Sequence, residues 1–205
     1  KDQRWTKERK QNCCYQIIMK KFAVIGDILI DEYNYGNITR ISPEAPIPVF
    51  LSEEDNPICL PGGASNVAYQ FKNLPSEVYL LGPLDNRSKN VLQNFNFDIK
   101  LCPNMSGNNP RKIRFYQENT PIIRRDVEKK NYGIQSDELL KIQSEIKNNL
   151  TSLEPNVVIL SDYAKGLFTT EFSNSIIDYC NSKKITTIVD PKHPPLNKWK
   201  GCSII

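Results

Sequence analysis

The chain has 205 residues, of which 39% are hydrophobic and 24% are charged, a balance that allows one sizeable core and argues against wholesale disorder. Its formal net charge is +4, but residues 1–18 hold five basic and two acidic side chains, so the remaining sequence is close to neutral. We therefore expect no nucleic-acid partner, and no membrane partner because every apolar run is shorter than the ~18 residues that a span requires.

The six cysteines and the one histidine, His193, show no metal-ligand spacing. We expect free thiols in a cytoplasmic protein and no metal site. Residues 1–18 have little periodicity, and the run that begins at Met19 reads like the start of a protein. We expect 1–18 to be an extension derived from upstream or added sequence, or else a basic binding arm, and 19–205 to fold as one unit.

Strand and helix signals alternate from Lys21 onward. Short apolar runs predict strands at 22–27, 47–52, 77–82, 156–162, 185–190 and 202–205. Helical periodicity predicts helices over about 63–74 and 87–95, and a long helix capped by Ser136. The long helix and the one after it are expected to bury Leu139, Ile142, Ile146 and Leu150, and Phe172, Ile176 and Cys180. This alternation predicts an α/β fold with a mainly parallel sheet.

Two runs, at about 38–52 and 111–128, do not fit the alternation. They carry prolines, charges and β-type patterning, and 111–117 with 120–128 resembles a hairpin around a short turn. We expect them to form a small, separate β-layer.

Three predicted strands end in a carboxylate, at Asp27, Asp162 and Asp190. Ligands of open α/β sheets bind outside the carboxyl ends of the strands, so these positions are candidate site residues. Asp27 and Asp31 together could accept hydrogen bonds from the hydroxyls of a polyol. The alternative is that Asp27 caps a turn and Asp31 is a solvated loop acid.

Two lysines follow the later strand ends, Lys165 after Asp162 and Lys192 after Asp190. Cations at this edge would suit an anionic substrate such as a sugar phosphate, although a surface ion pair is the alternative. Residues 60–71 read LPGGASNVAYQF, a glycine loop that opens a helix without the spacing of a nucleotide-binding loop. We expect Gly62 and Gly63 to let a sugar lie against the backbone, with Asn66 reaching a hydroxyl.

These segments occur in the order seen in a known family. The sequence contains GDILIDEY, RISPEAPIPV, PGGASNVA, SDYAKG and VDPK followed by KWKG, and from Met19 to its last residue it resembles the ribokinase-like (PfkB) carbohydrate kinases. Within them it is most similar to the kinases of D-glycero-β-D-manno-heptose 7-phosphate. In many bacteria such a kinase is the N-terminal domain of a bifunctional ADP-heptose synthase.

The resemblance implies a three-layer domain with a β-sheet lid at about 38–52 and 111–128, and a homodimer formed through that lid. The implied reaction is the transfer of the ATP γ-phosphoryl group to the anomeric hydroxyl of the heptose 7-phosphate, with Mg²⁺, in lipopolysaccharide precursor synthesis. The positions that match substrate-contacting or lid segments are Asp27, Asp31, Gly62, Gly63, Asn66, Lys165, Arg114 and Arg124.

The sequence departs from the family in two places. The segment at 81–90 is shortened and keeps only Asp85, and the G-A-G-D motif that supplies the catalytic aspartate is absent from these 205 residues. We expect the catalytic base and the nucleotide-binding segments beyond residue 205, so that this truncated chain carries the acceptor-sugar half and is inactive alone. Two alternatives remain: a PfkB kinase for another sugar or sugar phosphate, and a non-catalytic sugar-phosphate-binding or dimerisation module.

Overall fold

The computed structural model describes residues 20–52, 57–95, 98–194 and 196–205. The predicted extension at 1–18 lies outside the described residues. The strands are β1 (Lys20–Gly26), β2 (Ile28–Tyr35), β3 (Asn37–Ile41), β4 (Pro48–Leu51), β5 (Ile58–Gly63), β6 (Ser76–Leu81), β7 (Arg111–Gln117), β8 (Thr120–Val127), β9 (Val157–Asp162) and β10 (Thr186–Pro191). The α-helices are α1 (Ala64–Gln70), α2 (Asn86–Leu92), α3 (Ser136–Leu153) and α4 (Thr170–Ser182).

The main sheet has four parallel strands in the order β10-β9-β1-β6. Its strands are apolar on both faces, as expected for a parallel sheet that helices cover on each side. Ala23 and Ile25 of β1 pack into a core with α3 and α4, whereas Val24 packs into a second core with α1 and α2. The α/β fold with a mainly parallel sheet is therefore confirmed.

The helical faces are also confirmed. The predicted face of α3, Leu139, Ile142, Ile146 and Leu150, is buried, as is the predicted face of α4, Phe172, Ile176 and Cys180. Ser136 was expected at the N-cap, but it is the first helical residue, and Gln135 before it makes no side-chain capping bond. The acidic residues Asp137 and Glu138 occupy the first turn instead, where negative charge is favourable.

The strand predicted at 202–205 is wrong. Only Ile204 pairs with the sheet, through a single bridge to Ile188, and both Ile204 and Ile205 are more than half exposed. Gly201 has a φ of 91°, a conformation that interrupts an extended chain.

The second sheet has the order β5-β2-β7-β8, and it begins directly where the main sheet stops. Asp27 is the single residue between β1 and β2, so the chain passes from one sheet into the other without a loop. The hairpin predicted at 111–117 and 120–128 corresponds to β7 and β8. The sequence did not predict β2 or β5, because acids interrupt the first and Pro61, Gly62 and Gly63 end the second.

The two runs assigned to one small β-layer lie in different sheets. The strand predicted at 47–52 is β4, which pairs only with β3, whereas β7 and β8 belong to the four-stranded second sheet. A T-shaped contact between Phe50 and Phe115, with ring centroids 5.2 Å apart, joins the β3–β4 hairpin to that sheet. The role of these strands as a lid stays a prediction.

We predict that Leu150→Ala lowers the free energy of unfolding by about 3 kcal/mol, because this fully buried side chain fills the core beneath α3. Leu140→Ala is the matched control on the same helix, since Leu140 is 62% exposed and should change stability by less than about 0.5 kcal/mol. Urea titrations of both variants measure the difference. Equal effects would contradict the assignment of the buried face.

Candidate functional site

A buried carboxylate, that of Asp27, joins the two sheets. Its side chain is fully buried and accepts a hydrogen bond from the hydroxyl of Tyr132. Its second oxygen accepts from the backbone N–H groups of Tyr163 at 2.8 Å and Lys165 at 3.1 Å. Burial raises the pKa of Asp27, although these hydrogen bonds act in the opposite direction.

This environment bears on the expectation that Asp27 contacts a sugar, which stays a prediction. A fully buried carboxylate with three donors inside the protein has no free face for a hydroxyl. Its role is closer to the alternative that the sequence left open, because it holds a turn in place.

The turns that Asp27 holds are conformationally unusual. Asn131 and Tyr132 have φ values of 48° and 59°, and Ala164 has 56°, all in the left-handed region that non-glycine residues rarely adopt. A Cβ on Gly166 would lie 2.3 Å from the Asn131 Oδ1, so the two turns touch where only glycine fits. The hydrogen bonds to Asp27 therefore fix the positions of Tyr163 and Lys165.

Asp31, by contrast, lies on an accessible face of the second sheet. It forms an ion pair with Arg114, with 2.7 Å between Oδ1 and Nη1, and both side chains are 21% exposed. A Cβ on Gly62 would lie 2.7 Å from the Asp31 Oδ2, so this glycine makes room for the carboxylate. Asp31 thus keeps lone pairs for a ligand at a point where the backbone approaches closely.

The predicted glycine loop is instead the end of β5, running directly into α1. Gly63 has a φ of 57°, and a Cβ there would lie 2.4 Å from the Asp27 carbonyl oxygen. Gly62 and Gly63 are both buried against β2, and this packing explains them without a sugar. Asn66 is exposed on α1 and accepts a hydrogen bond from Gln70.

Tyr163 is the centre of a charged cluster that the sequence did not predict. The Nζ atoms of Lys112 and Lys192 lie 5.4 and 5.7 Å from the centroid of its partly buried ring. Burial raises the pKa of Tyr163 most, followed by the negative charges of Asp190 and Asp31. The structure thereby brings together residues of both sheets, including the predicted Asp31, Asp190 and Lys192.

Lys112 and Arg114 stand two positions apart in β7, and this spacing is the signal by which the sequence could have indicated Lys112 as a site residue. Successive strand residues point to opposite faces, so Lys112 and Arg114 share one face. Asp31 pairs in register with Lys112, and Arg124 pairs with Arg114, which adds both to the same face.

The remaining predicted residues are already paired with other side chains. Lys165 forms an ion pair with Glu128, and Asp162 is buried with the Lys198 Nζ at 2.6 Å. Arg124, 54% exposed, binds both oxygens of Asp126 at 2.7 Å. The surface-pair alternative for Lys165 therefore fits the structure better than a phosphate contact.

Within residues 20–52, 57–95, 98–194 and 196–205, no group of three His, Cys, Asp or Glu side chains could hold a metal ion. No helix in those ranges is long and apolar enough to cross a membrane.

We predict that Asp27→Ala lowers the free energy of unfolding by about 3 kcal/mol, because it leaves one hydroxyl and two amides buried without an acceptor. Tyr132→Phe removes only one of these bonds and should cost about 1 kcal/mol. Urea titration measures both losses. A smaller loss for Asp27→Ala than for Tyr132→Phe would contradict the central place of this carboxylate.

The raised pKa of Asp27 adds a pH dependence. The folded state holds this proton more tightly than the unfolded chain, so its contribution is complete at pH below the ordinary value and is lost as pH rises through the raised pKa. Relative to Asp27→Asn, which cannot titrate, the wild-type chain should therefore lose stability across that window.

The chain matches known proteins over most of its length. No family profile matches it. Its sequence is 32% identical to bifunctional protein HldE of Helicobacter hepaticus over 90% of the chain, and 35% identical to that of Blochmanniella floridana over 89%. It spans only 39% and 37% of the length of those two relatives.

Solved structures give the same fold. Phosphofructokinase-2 from Escherichia coli, in complex with fructose-6-phosphate, has a TM-score of 0.59 at 14% identity, covering 88% of this chain and 57% of that one. A candidate ribokinase from Agrobacterium tumefaciens has a TM-score of 0.56 at 13% identity, covering 89% and 56%. The chain therefore has the ribokinase-like fold of sugar kinases and is a homologue of one part of the bifunctional HldE proteins.

Proposed function

We propose that the chain is the acceptor-sugar half of a kinase that phosphorylates D-glycero-β-D-manno-heptose 7-phosphate at its anomeric hydroxyl. The observation that carries this proposal is the similarity to HldE proteins across nine tenths of the chain. The motifs GDILIDEY, RISPEAPIPV and SDYAKG, through which the sequence resembles the heptose 7-phosphate kinases, support the same substrate.

The chemistry of the cluster around Tyr163 fits a phosphorylated polyol. Asp31 and Asp190 offer carboxylate oxygens to sugar hydroxyls. Each of these oxygens can accept more than one hydrogen bond. Lys112 and Lys192 add positive charge beside the same ring. Asn66 and Arg124, which the resemblance also assigns to substrate, lie on exposed surfaces and are secondary candidates.

The complete enzyme would use ATP and Mg²⁺, as the resemblance implies. Phosphoryl transfer needs a positioned acceptor hydroxyl, a carboxylate base and neutralisation of the charge on the transferred group. The 205 residues contain no G-A-G-D sequence, which in the family supplies the catalytic aspartate. We therefore propose that this chain by itself binds and orients the sugar phosphate but transfers no phosphoryl group.

Two other functions have specific support. The likeness to phosphofructokinase-2 in complex with fructose-6-phosphate favours a kinase for another sugar phosphate on the same fold. A non-catalytic sugar-phosphate-binding or dimerisation module would suit the lysines around Tyr163 and the exposed apolar side chains of β3 and β8. Comparing the affinities for heptose 7-phosphate and fructose 6-phosphate distinguishes a kinase for another sugar phosphate from a heptose kinase. An assay of phosphoryl transfer tests whether the chain is a non-catalytic module.

We also propose a cytoplasmic homodimer formed through the small β-strands. Large apolar side chains stand exposed on β3, β8 and the segment before β4, among them Ile41 at 60%, Ile123 at 61% and Ile47 at 56%. Large apolar patches are typical of protein–protein contacts, and these side chains would contribute to one.

We predict that Asp31→Asn weakens binding of heptose 7-phosphate at least about tenfold, because a charged acceptor of the sugar hydroxyls is lost. Asp178→Asn is the control, since Asp178 is exposed on α4. Isothermal titration calorimetry measures both, with fructose 6-phosphate as a competing ligand. Unchanged affinity in a folded Asp31→Asn variant would remove Asp31 from the site.

The purified chain should release no ADP above background when it is mixed with ATP, Mg²⁺ and heptose 7-phosphate, although it binds the sugar phosphate. A coupled ADP assay detects the product. Sugar-dependent ADP release would overturn the proposed inactivity, and tighter binding of fructose 6-phosphate than of heptose 7-phosphate would favour the other sugar kinase.

A further inference from the structure

We propose that Lys112 and Lys192 hold the phosphate group of the substrate between the two sheets, beside the ring of Tyr163. This inference rests on the proposed function, because it names the part of the site that selects a phosphorylated sugar. Lys192 is one of the two lysines that the sequence placed near an anionic substrate, and Lys112 takes the place of the other, Lys165.

The two lysines come from opposite sides of the site. Lys112 lies on β7 of the second sheet, whereas Lys192 directly follows β10 of the main sheet. Both Nζ atoms lie within 6 Å of one ring centroid, at 5.4 and 5.7 Å. The positive charge of Lys192 also acts on Lys112, and an anion bound to both beside Tyr163 would contact a cation from each sheet.

The pairing of the other cations singles out these two. Arg114 pairs with Asp31, Arg124 with Asp126, Lys165 with Glu128 and Lys198 with Asp162. In the part of the chain that the structure describes, neither Lys112 nor Lys192 has a carboxylate oxygen within 4.0 Å. The charge available to a new anion at this site is thus concentrated on the two lysines.

The electrostatics of Lys112 point the same way. Its pKa is lowered first by burial, and then by the positive charges of Arg124, Arg114 and Lys192, with Asp31 acting against them. A cation that is partly desolvated among other cations gains stability when an anion arrives. A phosphate group would supply that anion, and a compact ammonium binds it as a point charge.

Tyr163 gives the site its shape. The ring lies near the two lysines, and the charges of Asp31 and Asp190, whose carboxylates suit hydroxyl groups, act on it. Its backbone N–H donates to Asp27, so the main chain that carries the ring is held in position before any ligand binds. The site would then bind a sugar that carries a phosphate at one end and hydroxyls at the other.

Calorimetry on the 205-residue chain tests the assignment with two ligands, heptose 7-phosphate and the unphosphorylated heptose. Lys112→Met and Lys192→Met should each weaken heptose 7-phosphate at least about tenfold and leave the unphosphorylated sugar unchanged. Lys147→Met, at an exposed position of α3, is the matched control and should leave both affinities unchanged.

Lys165→Met separates the two lysine assignments. Because Lys165 is paired with Glu128, its loss should change heptose 7-phosphate affinity less than about threefold. A larger loss in Lys165→Met than in Lys112→Met would overturn the proposal. So would equal losses for both ligands in Lys112→Met and Lys192→Met, since these would mean a contact to the sugar or a fold defect.

Chemical labelling tests the site independently of the sugar. Inorganic phosphate should protect Lys112 and Lys192, but not Lys147, from reductive methylation, as read by peptide mass spectrometry. If the wild-type chain binds no heptose 7-phosphate and phosphate still protects both lysines, the proposed function fails and the phosphate site stands. Absence of protection at both lysines would overturn the site itself.

Tyr163 has its own pair of variants. Tyr163→Phe keeps the ring and should keep the protection by phosphate, whereas Tyr163→Ala removes the surface against which both lysines lie and should reduce it. Protection that is equally strong in both variants would show that the ring does not organise the lysines.

Discussion

The rest of the structure depends on a single buried carboxylate. Asp27 stands where the main sheet becomes the second sheet, and it collects one hydroxyl and two amides from segments more than 100 residues away in sequence. Burying an acid is costly unless its oxygens are satisfied, and here three donors satisfy them. These hydrogen bonds also hold in place the two turns that contain the donors, whose backbones have left-handed conformations.

The site follows from this arrangement. The turn that Asp27 holds carries Tyr163, and the second sheet that starts at Asp27 carries Asp31 and Lys112. The carboxyl end of β10 adds Asp190 and Lys192. Neither sheet alone contains all the groups of the proposed site, so that site depends on how the two sheets meet.

The sequence predicted regular elements well and their meeting point poorly. The apolar periodicity of α3, Leu139 to Leu150, and the buried runs of β9 and β10 come from local side-chain spacing, which a sequence shows directly. The strands β2 and β5 were not predicted, because their acids and glycines are explained by contacts with residues on other strands. Asp31 stands out in a motif, but its pairing with Arg114, 83 positions away, is visible only in three dimensions.

The same limit explains the site residues. Asp27 and Lys165 lie in recognisable motifs, yet burial and the pairing of Lys165 with Glu128 occupy both. Lys112 lies near motif residues and Tyr163 lies within SDYAKG, yet neither was predicted as a site residue. Their importance rests on the distance of 5.4 Å between the Lys112 Nζ and the centroid of the Tyr163 ring, which a sequence does not show. A motif locates the neighbourhood of a site, whereas charge pairing and burial decide which side chains remain free to bind.

The double junction between the sheets also constrains how the second sheet could move. The chain leaves the main sheet through Asp27 and returns through Gly63 into α1, and the Ala64 N–H donates to the Asp27 carbonyl at 3.0 Å, so exit and return lie side by side. The adjacent ends of β2 and β5 would be the axis of any rocking of the second sheet. Any rocking of the second sheet would shift Asp31, four residues from the axis, by far less than Arg124 on the outermost strand. Hydroxyl recognition would thus stay in place while the far edge swings.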